Sequence, residues 1–200
     1  MGVPPAPVWP RGNTREVPMT PPERPDAPQH GAARGTLVAI HRGHLEMEKA
    51  LGELRRSHLS LRDVSVVGTD DHTQENVYGY YSTGRRFEAW GSFGAFWSGV
   101  WAALVGEGFF FIPGIGSLLM AGRVVEWLVE ALEAGVMVHD LSPLGAALVT
   151  NGVPADDMRH FEIALRHNEF LLIGSGPMPA MEELRAIVEP TGTRVSLYPL

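Results

Sequence analysis

The stretch from Ala89 to Gly122, AWGSFGAFWSGVWAALVGEGFFFIPGIGSLLMAG, carries a single charge, Glu107. A run so poor in charge has to be covered, by the rest of the chain, by another copy or by lipid. Read as a helix, its first half sets Gly91, Ala95, Gly99, Ala102 and Gly106 on one face at steps of three and four residues. Gly94 adds to the small residues of the same segment. Trp90, Phe93, Trp97, Trp101 and Leu104 fall on a different face. Each glycine inside an exposed helix costs roughly 1 kcal/mol, so a stripe of them needs close packing to offset it. The stripe therefore reads as a contact surface.

Phe109 to Gly116 follows, and Pro113, Gly114 and Gly116 predict a tight corner. The expected element is a helical hairpin over about 87–138. Its second arm starts near Ser117 as N-cap and runs to about Val138. Arg123, Glu126, Glu130 and Glu133 make a polar stripe on that arm, beside Leu118, Leu119, Val125, Leu128, Val129 and Leu132. A spanning helix needs about 20 largely apolar residues, and a glutamate near a bilayer centre costs on the order of 2–3 kcal/mol. Three placements are open: a buried hairpin in a homo-oligomer, a hairpin dipping into a membrane, and a two-pass span.

The remainder bounds the function classes. A net charge of -7 with no basic run argues against nonspecific binding to nucleic acid. The absence of cysteine removes disulfides, thiolate catalysis and cysteine-ligated metals, and fits a cytoplasmic protein. Residues 1–34 hold nine of the sixteen prolines and read as a disordered tail, with no secretion signal.

Residues 35–200 predict an α+β domain. Thr36–Ile40 and Val64–Gly68 read as strands joined by a helix over His44–Ser57, giving two parallel strands, neighbouring or one apart. Helices are expected at Leu144–Asn151, stopped by Gly152, and at Pro154–His167. Glu169–Gly174 and Thr193–Tyr198 read as strands around a helix over Pro177–Glu189. Two such β-α-β units around one sheet predict a ferredoxin-like domain split by the Gly/aromatic-rich helical hairpin.

Several side-chain groups invite chemistry. Asp70, Asp71 and His72, with Glu75 near them, offer oxygen and nitrogen donors for a divalent metal, and Tyr80 and Tyr81 lie close by in sequence. These are the weak polar-site candidates. His41 and His44 have the spacing of half a zinc site. Gly174-Ser175-Gly176 before a helix resembles an anion cradle. None completes a catalytic constellation, a Walker loop or a dinucleotide fingerprint, so neither a reaction nor a cofactor is assigned.

The ordered set Val66-Val67-Gly68-Thr69-Asp70, Gly79-Tyr80-Tyr81-Ser82-Thr83-Gly84, Trp90-Gly91, Gly94-Ala95-Phe96-Trp97 and Phe109 to Gly116 resembles the bacterial heat-induced general stress protein (YflT-type) family. Leu144 to Leu148 and Phe170 to Ile173 extend the likeness. It is similar also to related Gly-rich proteins labelled permeases. The resemblance implies stress-associated expression and no activity that transfers to residues. Glu126, Glu130 and Glu133 depart from the Gly/Ala-rich pattern of that family.

The resulting expectation is a non-enzymatic, stress-associated protein that self-associates through its hairpin into a homo-oligomer. A membrane-associated oligomer is the alternative, and a sensor of a small ligand or metal the third reading. Trp90, Gly91, Gly94, Ala95, Trp97, Gly99, Trp101, Ala102, Gly106, Pro113, Gly114 and Gly116 are the expected interface.

Overall fold

The computed structural model describes Gly2 and residues 33–69, 91–135 and 141–200; the tail, Asp70, Asp71, His72, Tyr80, Tyr81 and Trp90 lie outside the described residues. The chain divides after Gly31, and the unit Ala32–Leu200 contains every element below.

The strands are β1 (Arg34–His41), β2 (Val64–Thr69), β3 (Glu107–Ile112), β4 (Gly116–Ala121), β5 (Phe170–Pro177) and β6 (Arg194–Pro199). The helices are α1 (His44–Arg56), α2 (Gly91–Ala103), α3 (Val124–Glu133), α4 (Pro143–Thr150), α5 (Ala155–Arg166) and α6 (Met178–Val188). All six strands join one sheet in the order β3-β4-β2-β5-β1-β6, every neighbouring pair antiparallel. Hence β1 and β2 run parallel with β5 between them, and β5 and β6 run parallel with β1 between them. The β-α-β connections expected from the sequence are these two.

The sheet is buried on both faces, which is why β1 and β5 read as nearly unbroken apolar runs rather than alternating ones. Alternate residues still divide the work. Leu37, Ala39, Phe170 and Leu172 pack under α1, α2 and α6. Val38, Ile40, Leu171 and Ile173 pack under α3, α4 and α5. The helices supply matching stripes: Met47, Ala50, Leu51 and Leu54 from α1, and Val124, Trp127, Leu128 and Ala131 from α3. Ser142 caps α4 by accepting from Gly145 N at 3.1 Å, and Gly152 ends it at φ +88°, as its sequence position predicts.

The expected helical hairpin is corrected. Its first arm is α2, but the corner joins two strands, and Ser117 lies inside β4 rather than at a helix cap. Ile115 N bonds Ile112 O at 3.0 Å across Pro113-Gly114, with Gly114 at φ +84°. Proline followed by a positive-φ glycine is the signature of a type II turn. Three consecutive phenylalanines then favour a pleated conformation on one side of it. On the other side β4 finds a ready partner in β2, pairing Val66 with Ala121 through Thr69 with Leu118. Sheet pairing of residues 116–121 thus displaces the helix that their apolar content suggested. The second helix, α3, begins only at Val124, and Glu126, Glu130 and Glu133 face solvent from it. Among the described residues no helix is long and apolar enough to cross a membrane.

Candidate functional site

Helix α1 organises the accessible surface of its layer. Its buried stripe faces the sheet, which leaves Leu45, Glu48, Gly52 and Arg55 along its outer side at steps of three and four. A groove of about 490 Å³ runs between α1 and α2, lined by Glu48, Gly52 and Arg55 on one side and Ala95, Gly99 and Phe96 on the other. A second groove, of about 620 Å³, runs between α1 and α6, where Lys49, Glu53 and Arg56 face Ile187, Pro190 and Thr191.

The first groove is shaped by missing side chains. A Cβ at Gly99 would meet nothing within 4 Å, and one at Gly52 only the Arg56 guanidinium at 3.7 Å. Arg55 Nη2 donates to Gly99 O at 3.2 Å, joining the two helices. Below the groove lies an aromatic cluster. Phe96 meets Phe170 edge-on at 5.6 Å between ring centroids and Trp97 at 5.5 Å. Trp97 is fully buried, and Trp101 donates its indole N–H to Met120 O at 2.9 Å.

The expected interface residues therefore part company. Ala95 and Ala102 are exposed and Gly99 half-exposed, so this part of the small-residue stripe does face outward. Gly94 and Trp97 are buried, and Trp101 is half-buried against the sheet. Gly91 opens α2. Gly106 leaves the stripe: at φ +90° it is no longer helical, and its carbonyl accepts from Gly122 N at 3.0 Å. Pro113 and Gly114 are exposed and Gly116 half-exposed at the end of the β3–β4 hairpin.

The other sequence candidates resolve into structural roles. Gly174-Ser175-Gly176 continues β5 in register with Gly35–Leu37 of β1, so its backbone belongs to the ladder and makes no anion loop. A Cβ at Gly174 would collide with Leu184, which explains that glycine by close helix–strand packing. His41 is fully buried, with Nε2 3.2 Å from Thr191 Oγ1. Thr191 Oγ1 in turn lies 3.1 Å from Val188 O, to which it donates. Burial lowers the His41 pKa to about 4, against smaller opposing effects of the Ala39 backbone and Glu46. It is burial in the core, not protonation, that keeps His41 from sharing an accessible ligand site with the half-exposed His44. Among the described residues no three histidine or acidic side chains converge as metal ligands.

The chain matches no family model, no curated protein and no solved structure.

One cluster escaped sequence reasoning. Asp157 of α5 accepts from Tyr198 OH at 2.8 Å and from Arg194 Nη2 at 2.9 Å, so it fastens the edge strand β6 to the helix layer. Burial, with smaller contributions from Asp157, pushes the Tyr198 phenol up to about 12. Spacing along β6 places Arg194 and Tyr198 on one face, but nothing in the sequence pairs them with a residue of α5.

Proposed function

We propose that this chain is a non-enzymatic, stress-associated protein whose working form is a homo-oligomer assembled through the surface of α2 and the β3–β4 hairpin. The observation that carries this reading is how α2 divides its residues. Phe96, Trp97 and Val100 are committed to the core, while Ala95, Gly99 and Ala102 look outward where another backbone can approach. Val105 and Phe111 add apolar surface nearby in the chain, 62% and 72% exposed. The stress assignment rests on the motif resemblance alone. In the same reading, strands β2-β5-β1-β6 with α1 and α6 form a ferredoxin-like unit, extended by the β-hairpin and by the three helices of the opposite face.

Membrane association is the second reading. It would draw on the same exposed Val105 and Phe111, yet three tryptophans suited to anchor at a membrane–water interface are engaged elsewhere. Trp97 and Trp127 are buried, and Trp101 is hydrogen-bonded to Met120. Self-association in water asks for no rearrangement of these side chains, and we adopt it.

Size exclusion with light scattering tests the proposal. The expected mass is a multiple of 21.8 kDa, reduced by Gly99→Leu or Ala102→Leu. A wild-type mass of one chain refutes it. Co-flotation with lipid vesicles, together with a blue shift of tryptophan emission, would transfer support to the membrane reading.

A further inference from the structure

We infer that the groove between α1 and α2 receives helix α1 of a second copy, across a twofold axis that passes close to Gly52. The inference rests on the self-association proposed above and adds α1 to the α2 surface named there. Two charges on the groove wall support it. Glu48 and Arg55 stand seven residues apart on the same side of α1, about two turns or about 10 Å along the axis. Among the described residues neither forms an ion pair. Laid antiparallel, two such helices bring Glu48 of each against Arg55 of the other, so the surface is complementary to itself, as a twofold contact requires.

The middle of this arrangement falls at Gly52, where no side chain holds the helices apart. Gly99 is equally open on the far wall, and Ala95 is small. The groove volume of about 490 Å³ then accommodates the ridge of the partner's helix, while α1 fills the equivalent groove of the partner. Leu45, 59% exposed one turn beyond Glu48, adds apolar surface to the same stripe. The groove between α1 and α6 does not have this symmetry, because its Arg56 is already bound to Glu53 at 2.6 Å.

The test is a charge exchange followed by light scattering, with far-UV circular dichroism to establish that each variant is folded. Glu48→Arg and Arg55→Glu each set like charges against one another across the axis, and each is expected to lower the mass of the wild-type assembly. The double variant Glu48→Arg/Arg55→Glu restores opposite charges and is expected to recover it. Glu48→Arg leaves the internal Arg55–Gly99 bond intact, so its effect is separate from any loosening of α2. A wild-type assembly whose mass survives both single exchanges, or is not recovered by the double exchange, overturns the twofold α1 contact while self-association stands. A monomeric wild type removes both proposals.

Discussion

Trp101 donates its indole N–H to Met120 O at 2.9 Å, and this bond ties α2 to the strand that was expected to be a helix. It also fixes which way α2 rolls: with Trp101 held against β4, the small residues Ala95 and Ala102 turn outward. Trp101→Phe keeps the aromatic body and deletes the donor. A net loss of about 1 kcal/mol is expected in urea unfolding, the usual worth of one such bond. An unchanged midpoint would mean that ring packing alone sets the roll.

Gly68 and Gly99 make opposite predictions for the same substitution. A Cβ at Gly68 would lie 2.5 Å from the Phe170 ring and 3.0 Å from Trp97, so Gly68→Ala overpacks the aromatic cluster and is expected to cost about 1–3 kcal/mol. At Gly99, inside α2 with open space beside it, alanine is expected to stabilise the fold by about 0.5–1 kcal/mol. Paired thermal melts decide the matter, and equal shifts in the same direction would contradict the packing described here.

His41 makes the fold sensitive to acid. Its folded pKa of about 4 lies below the ordinary 6.5, so the unfolded chain takes up the proton first. The stabilisation by the neutral imidazole is whole above pH 6.5 and is lost as pH falls from there through about 4. The size is on the order of 3 kcal/mol. His41→Leu should flatten that part of the stability–pH curve. Parallel slopes for wild type and variant would place the acid sensitivity elsewhere.

Tyr198 has the reverse dependence. Its phenol is held neutral up to about pH 12, so stability from it is present below pH 10 and declines as pH rises through that interval. Tyr198→Phe should remove this alkaline slope and, by losing the bond to Asp157, cost about 1 kcal/mol at neutral pH. Absorbance of the tyrosinate, followed with unfolding, reports both.

The elements with clear periodicity were legible from sequence. Helix α1, with apolar residues at Met47, Ala50, Leu51 and Leu54, and the strands around Val38 and Leu172 stand where their patterns put them. The apolar middle was harder to read. Phe109–Ile112 and Ser117–Ala121 are too short and too uniformly apolar for periodicity to separate strand from buried helix. What decided between them was a partner distant in sequence, the free edge of β2. The Pro113-Gly114 corner was visible, but whether it joined helices or strands was not. The α1–α2 groove was half visible: the small residues of α2 were evident, whereas Glu48 and Arg55 looked like ordinary solvent-facing charges until the fold set α1 beside α2.

Both neighbours of β1 come late in the chain: β5 pairs Ser175 with Thr36, and β6 adds itself on the other side, Tyr198 facing Thr36. During synthesis at about 5–20 residues per second, β1 therefore waits roughly 7–30 s for its first neighbour to be made. Through that interval Leu37, Val38, Ala39 and Ile40 have no sheet to enter. Synthesis of β5 ends a period in which β1 has only α1 beside it to keep its apolar edge out of mistaken pairings.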